Sequence, residues 1–176
     1  MNQKYEFTGE TMNHFGRTLH RIKALASFGS VKKGDIGGWI EAEENLSESG
    51  NAWVSGNARV STDARVSDDA WVYGNARVFG NALVFGNASV SGNARVSDDA
   101  RVSGEYDFIT IGPIGSRSDI TTFYRLKQGG IGVNCGCFNG TLDDFEAKVH
   151  KTHAGTIHER AYMAAIRMAR EIMSHD

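Results

Sequence analysis

The sequence of 176 residues is poor in proline, in cysteine and in net charge. A single proline, Pro113, stands against 21 glycines, which excludes collagen and proline-rich disordered chains. The two cysteines, Cys135 and Cys137, are separated by one residue, a spacing that suits no structural disulfide framework. The formal net charge of −2 disfavours general nucleic-acid binding and attachment to anionic membranes.

Long apolar segments are also missing. No run approaches the roughly 20 apolar residues of a membrane helix, and the start MNQKYEFTGE lacks the apolar core of a signal peptide. Hydrophobic residues make up 40% of the chain and charged residues 23%, enough to fill a core and keep the chain in solution. We therefore expect a soluble cytosolic protein with no membrane partner.

A repeat of six residues accounts for much of the glycine. From residue 51 to 103 the chain reads NAWVSG, NARVST, DARVSD, DAWVYG, NARVFG, NALVFG, NASVSG, NARVSD and DARVS. Alanine and valine stand two apart, so they share one face of a short strand, and the Gly-Asn, Thr-Asp or Asp-Asp pair is typical of a corner. A period of six is too short for two packed helices, which excludes an α-solenoid. Ile40 and Leu46 continue the alanine phase backwards and indicate degenerate units before the strict ones.

These hexads resemble the hexapeptide-repeat left-handed β-helix, in which three hexads make one triangular coil. The resemblance implies a mainly β fold, with a left-handed parallel β-helix (a three-sided prism) over residues 40–104. Residues 1–39 are expected to form an N-terminal β cap that covers the exposed end of the coil. That family is frequently trimeric and so short a prism has a limited core, so we expect a homotrimer.

A coil of eighteen residues predicts vertical columns of outward-facing side chains. Stacked arginines about 5 Å apart repel one another, and an anionic partner would relieve that repulsion. Aromatic side chains that encircle one coil are typical of a contact surface. The plain alternative is that these groups are solvated or shape a subunit interface. The predicted interface residues are Arg59, Arg77, Arg95, Tyr73, Phe79 and Phe85.

Residues 105–176 predict an α+β module. Strands are expected at roughly 106–111, 120–126, 131–134 and 136–138, and two helices follow. Thr141 can cap the first helix and Gly155 can end it, while Thr156 and Glu159 form a capping box for the second. The expected apolar stripe of the second helix consists of Ile157, Ala161, Ala164, Ala165, Met168 and Ile172.

Several segments together resemble a recurrent type of phage and prophage protein. They are the YEFTGE start, HRIKAL and GDIGGWIE in the cap, the NARV hexads, and IGPIGSR and CGCFNGTLDDFEAKV in the last module. The resemblance runs over most of the chain. It implies a phage or prophage origin and action in the cytoplasm of the bacterial host.

The segment IGPIGSRS at residues 111–118 predicts an anion site. Glycines let backbone N–H groups converge, hydroxyls donate hydrogen bonds, and arginine offers a bidentate fork. The alternative is an ordinary glycine turn, because the segment is not a Walker motif and does not open a helix. The predicted ligand-binding residues are Gly112, Gly115, Ser116, Arg117, Ser118, Thr121, Thr122, Tyr124 and Arg125.

The sequence predicts no catalytic residue, no metal site and no cofactor. Hexapeptide-repeat acyltransferases use a histidine in or beside the coils, and none of the six histidines lies within residues 40–105. Cys135 and Cys137 with His150 and His153 are chemically suited to zinc, but their spacing is not that of a usual zinc site. A cysteine nucleophile with a histidine base lacks an evident third group.

We therefore expect a non-enzymatic, oligomeric binding protein. Its expected ligand is a phosphorylated small molecule such as a cyclic nucleotide immune signal, whose sequestration would counter the host defence. One alternative is an inhibitor or scaffold that acts on a host protein through the aromatic or arginine residues. The other, disfavoured by the histidine positions, is an acyltransferase-like enzyme.

Overall fold

A computed structural model of the protein describes residues 2–174. The chain forms two compact units, one ending at Glu105 and the other beginning at Tyr106. No helix in the described part of the chain is long and apolar enough to cross a membrane.

The N-terminal unit begins with an antiparallel sheet of three strands, β1 (Tyr5–His14), β2 (Arg17–Ala24) and β3 (Ile36–Ile40). Phe15 and Gly16, between β1 and β2, both have positive φ, the backbone geometry of a type I′ hairpin turn. β3 then pairs in parallel with a strand of the hexad region, so the cap continues directly into one face of the solenoid.

The hexads form two-residue strands, each paired in parallel with the strand eighteen residues further on. The strands are β4 (Trp53–Val54), β5 (Arg59–Val60), β6 (Arg65–Val66), β7 (Trp71–Val72), β8 (Arg77–Val78), β9 (Leu83–Val84), β10 (Ser89–Val90), β11 (Arg95–Val96) and β12 (Arg101–Val102). The sheet orders are β1-β2-β3-β5-β8-β11, β10-β7-β4 and β12-β9-β6, which are the three faces of a prism.

The alanines and valines of the hexads fill the interior of this solenoid and are at most 1% exposed. The degenerate units belong to it as well, because Ile40 pairs with Val60 and Leu46 bridges to Val66. The structure thus confirms the predicted β-helix, with about four turns. The six-residue period gives one strand and one corner per unit, and three units complete each turn, so strands eighteen residues apart pair.

The C-terminal unit is a four-stranded antiparallel sheet followed by two helices. The strands β13 (Phe108–Ile114), β14 (Asp119–Arg125), β15 (Ile131–Cys135) and β16 (Phe138–Thr141) are neighbours in chain order. Helix α1 (Leu142–His153) and helix α2 (Ile157–Met173) share a hydrophobic core with one face of this sheet. The predicted α+β module is confirmed.

Two local expectations for this unit are wrong. β13 continues through Gly112 and Pro113 to Ile114 instead of ending near 111, because the strand resumes its pairing after an irregularity. The apolar stripe expected on α2 is turned by about one residue, so Ile157 and Met168 are 67% and 53% exposed. The buried residues of α2 are Tyr162, Ala165, Ile166, Ala169 and Met173.

Candidate functional site

The hairpin that joins β13 to β14 carries the first part of the candidate site. Gly115 and Ser118 have positive φ, and the Ser118 N–H donates to the Gly115 carbonyl at 3.2 Å to close the turn. Ser116 and Arg117 lie at the tip of this hairpin and are exposed. The IGPIGSRS segment is therefore a strand end and a tight turn that presents one arginine.

A cavity of about 240 Å³ opens between this hairpin, the turn from β15 to β16, and helix α1. Three segments that are distant in sequence therefore converge on one place. The residues that line it are Ser116, Arg117, Asp119, Cys135, Gly136, Cys137, Phe138, Phe145, Lys148, Val149, Thr152, His153 and Tyr162.

Tyr162 of α2 and Cys135 of β15 lie side by side in this cavity, with a hydrogen bond of 3.7 Å between the thiol and the phenol oxygen. Below them the Thr121 hydroxyl donates to the Cys135 sulfur at 3.1 Å. Burial raises the pKa of the Tyr162 hydroxyl above its ordinary value, and the neighbouring Cys135 adds to the rise. Tyr162 is therefore neutral and available as a hydrogen-bonding group at physiological pH.

The charges of the cavity lie at its rim. Arg117 comes from the hairpin and Lys148 from α1, while Asp119 contributes a carboxylate. The Lys148 ammonium also lies 5.4 Å from the centre of the Phe138 ring, and the His153 ring is 5.7 Å from that of Tyr162. Arg117 and Lys148, together with the aromatic rings beside them, suit an anionic ligand that also carries a flat apolar group.

The other predicted ligand residues do not reach this cavity. Thr122 and Tyr124 point to the opposite face of β14 from Thr121, because side chains alternate along a strand. Both are buried, and the Tyr124 hydroxyl donates to the Asn139 side chain at 3.1 Å. The Arg125 guanidinium forms an ion pair with Asp107 at 2.9 Å.

Three predicted residues remain, of which Gly112 lies in strand β13, Ser118 at the base of the turn and Thr121 in strand β14. A Cβ on Gly112 would come within 2.7 Å of the Asp119 carbonyl oxygen, so this position serves the close packing of β13 on β14. Thr121 supports the cavity from below through Cys135. The structure therefore brings Ser116 and Arg117 to the cavity, with Gly115 beside it, and separates the others.

Helix α1 supplies cavity residues that sequence reasoning missed. Lys148 and Thr152 stand next to Phe145 and Val149 at helical spacings of three and four residues, which puts them beside the buried stripe of α1. That spacing was visible in the sequence, but nothing in it indicated that the hairpin would face this helix edge.

The cysteines and histidines are only partly brought together. Cys135, Cys137 and His153 line the cavity, whereas the exposed His150 lies within hydrogen-bond distance of the Glu159 carboxylate, 2.7 Å from Nδ1. Within residues 2–174, no group of three or more histidine, cysteine, aspartate or glutamate side chains is arranged to hold a metal ion.

The predicted interface residues lie on the solenoid. Arg59, Arg77 and Arg95 are in register on neighbouring strands of one sheet. Tyr73 is 40% exposed, whereas Phe79 and Phe85 are half-buried, and their role in an interface stays a prediction. The Arg101 guanidinium covers Phe85, 4.8 Å from its ring centre.

Comparison with known protein families identifies the solenoid. The hexads match the YdcK beta solenoid repeat. Matches to this family model span residues 52–68, 70–84, 76–92 and 88–104, so they cover the strict hexads and leave the cap and the C-terminal unit outside. No curated protein matches the chain. The repeat therefore establishes a β-solenoid of the hexapeptide type.

Proposed function

We propose that this protein is a non-enzymatic binding protein that holds a phosphorylated small molecule in the cavity of its C-terminal unit. The observation that carries the proposal is the convergence of Arg117 from the hairpin and Lys148 from α1 on a cavity with an aromatic floor. Arginine and lysine together offset the charge of a phosphate group, and the arginine fork fixes its orientation.

The floor of the cavity favours a ligand with a flat ring. Phe138, His153 and Tyr162 offer ring faces, and the Asp119 carboxylate accepts hydrogen bonds from amino or hydroxyl groups. A nucleotide combines a phosphate with a flat base and hydroxyls. The volume of about 240 Å³ is below the roughly 300–1,000 Å³ of drug-sized sites, so we expect one base to enter and the rest of a larger ligand to stay outside.

A cyclic oligonucleotide signal fits this description, with one base in the cavity and one phosphodiester between Arg117 and Lys148. The resemblance of the cap, hexads and terminal segments to phage and prophage proteins supports a role in the cytoplasm of a bacterial host. There the protein would sequester an immune signal without converting it, and so counter the defence.

Isothermal titration calorimetry against a panel of cyclic mono-, di- and trinucleotides tests this proposal. We expect at least one ligand to bind, and both Arg117→Ala and Lys148→Ala to weaken that binding by about tenfold or more. Arg167→Ala is the matched control, because Arg167 is exposed on α2 and does not line the cavity. Mass spectrometry of the recovered ligand should show it unchanged.

Two results would overturn the proposal: no heat with any nucleotide, or unchanged affinity in Arg117→Ala. A ligand recovered in cleaved form would show an enzyme instead of a binding protein. A stoichiometric host protein captured from lysate, in the absence of any bound nucleotide, would favour the inhibitor or scaffold alternative.

A further inference from the structure

A row of cationic side chains crosses the six-stranded sheet of the N-terminal unit. Arg59, Arg77 and Arg95 occupy equivalent positions on β5, β8 and β11, which are successive rungs about 4.8 Å apart. The row continues onto the cap, where Trp39 pairs with Arg59 and Arg21 pairs with Trp39. The Arg21 guanidinium lies 5.0 Å from the centre of the Trp39 ring. We call these four arginines, together with Trp39 between two of them, the arginine row.

The positive charges in the middle of the arginine row repel one another. Arg77 lies between Arg59 and Arg95, and burial together with these two neighbours lowers the pKa of Arg77 below its ordinary value. Ion pairs of the N-terminal unit join Arg17 to Glu41 and Lys23 to Glu6. Among the described residues, neither Arg59 nor Arg77 forms an ion pair with a carboxylate, so no such pair offsets the repulsion between these two arginines.

Arg59 adds a second, independent observation. One guanidinium nitrogen lies 3.4 Å from His14 Nδ1, but its Nε–H is buried and has no hydrogen-bond partner. The Nε of Arg21 at the other end of Trp39 is in the same state. Buried donors are normally satisfied, so the described residues leave part of the hydrogen-bonding capacity of the guanidinium groups on both sides of Trp39 unused.

The spacing of the row distinguishes among anionic partners. Acidic side chains on one face of an extended peptide recur about every 6.6 Å, so they fall out of step with rungs about 4.8 Å apart. The phosphates of a nucleic acid are also separated by a whole sugar. An oligophosphate joins its charges through single bridging oxygens, so it can offer acceptor oxygens to every rung without a gap. The arginine fork suits these oxygens.

We propose that the arginine row is a binding site for an oligophosphate group, with Arg59 and Arg77 as its central pair. The site lies on the solenoid and is distinct from the cavity of the C-terminal unit. The chemistry is that of a linear chain of phosphates, either free or carried by a nucleoside.

Calorimetry on the full chain with sodium tripolyphosphate tests the site. We expect binding, and a loss of affinity of about tenfold or more in Arg77→Gln, which keeps a polar side chain and removes the charged guanidinium. Arg65→Gln is the matched control, because Arg65 is an exposed arginine on another face of the same coils. Arg117→Ala should keep the binding, which separates this site from the cavity.

Thermal unfolding supplies a second readout that does not depend on the heat of binding. Tripolyphosphate should raise the unfolding temperature of the unsubstituted chain and of Arg65→Gln, but not that of Arg77→Gln. Equal loss in Arg77→Gln and Arg65→Gln, or no binding at all, would overturn the proposal. So would tighter binding of a glutamate-rich peptide or of a single-stranded oligonucleotide at equal charge. A nucleoside triphosphate that binds as tripolyphosphate does would identify the carried form.

Discussion

The hydroxyl of Tyr162 occupies the space that a Cβ on Gly115 would need. Gly115 also has a φ of +76°, a conformation that other residues adopt only with strain. This contact joins the β13–β14 hairpin to helix α2. It therefore sets where Arg117, two residues further along the hairpin, stands relative to the cavity.

Replacement of Gly115 by alanine should destabilise the C-terminal unit by about 3 kcal/mol, from overpacking against Tyr162 and from the left-handed backbone. Gly129→Ala is the control, because Gly129 has a φ of +88° and nothing within 4 Å of the added Cβ. It should cost only about 1 kcal/mol. Urea titrations measure both, and equal losses would contradict a packing role for the contact.

Asn45 ties the cap to the first turns of the solenoid. Its side-chain oxygen accepts from the backbone N–H groups of Glu41 and Ala42 at 3.0 and 2.9 Å, and its amide donates to the Thr62 and Ala64 carbonyls at 2.8 Å. Asn45 is 1% exposed, so Asn45→Ala would take this partner from the Ala42 N–H and from the Thr62 and Ala64 carbonyls, while the Glu41 N–H keeps its bond to the Val60 carbonyl. We expect a loss of about 3 kcal/mol in the free energy of unfolding.

The exposed Asn87, at a corner of the solenoid, provides the comparison for Asn45. Asn87→Ala should change the free energy of unfolding by less than about 0.5 kcal/mol. Circular dichroism during urea titration compares the two variants. A small effect of Asn45→Ala would show that water reaches the surroundings of residue 45 and replaces the lost hydrogen bonds.

Lys4 makes the stability of the N-terminal unit depend on pH. It is 6% exposed, its ammonium donates to the Ser47 carbonyl at 2.9 Å, and burial lowers its pKa from 10.5 to about 8. Between these values the folded chain has lost the proton that the unfolded chain keeps. The unfolded state then binds more protons, so stability rises with pH.

Lys4→Met isolates this effect from other titrating groups. The free energy of unfolding of the unsubstituted chain, relative to that of Lys4→Met, should rise by about 1 kcal/mol between pH 8 and pH 10. Higher pH is avoided because burial also raises the pKa of Tyr5, which gives the opposite slope once the unfolded tyrosine ionises. A constant or falling difference over this range would contradict a buried Lys4.

The corners of the solenoid should respond to substitution according to what lies one turn above. Gly80 has a φ of +71°, and an added Cβ would come within 2.7 Å of the Asp98 nitrogen. Gly92 has a similar φ of +65° but nothing within 4 Å. Gly80→Ala should therefore cost about 2 kcal/mol more than Gly92→Ala in thermal unfolding. Equal losses of stability in the two variants would mean that backbone strain alone determines the effect of the substitution.

The buried face of α2 can be tested with one charged substitution at two neighbouring positions. Ala169 is fully buried and Met168 is 53% exposed. Ala169→Glu should destabilise the C-terminal unit by more than about 3 kcal/mol, because it buries a carboxylate without a partner. Met168→Glu should be nearly neutral by the same urea titration. A larger loss of stability in Met168→Glu than in Ala169→Glu would support the apolar stripe expected from the sequence.

The stripe on α2 shows that the sequence predicts a helix but does not determine which of its faces is buried. Apolar residues of α2 satisfy helical spacing in two ways, one through Ala164 and Met168 and the other through Tyr162 and Ala169. Periodicity alone does not choose between them. The choice follows from tertiary packing, because Tyr162 fills the space beside Gly115 and Ile166 enters the core with Phe123.

The cap, by contrast, was predictable only in outline. Residues 1–39 indicated short strands, but not that Trp39 would stand in register with the arginines of the solenoid. The hydrogen bonds between β3 and β5 set that register, and they depend on how the chain turns between Ile40 and Trp53. No local sequence pattern predicts the course of the chain between these two residues.

The sequence by itself determined the solenoid, because a six-residue period with alanine and valine two apart leaves one arrangement that buries both. With three hexads in each turn, as the resemblance to hexapeptide-repeat proteins implies, Arg59, Arg77 and Arg95 must also stack. Only the tertiary structure decided the cavity. Arg117, Cys135 and Lys148 come from a hairpin, a strand and a helix, and their meeting depends on packing over distances that no repeat spans. Strand alternation then removed Thr122 and Tyr124 from the site while Thr121 stayed beneath it.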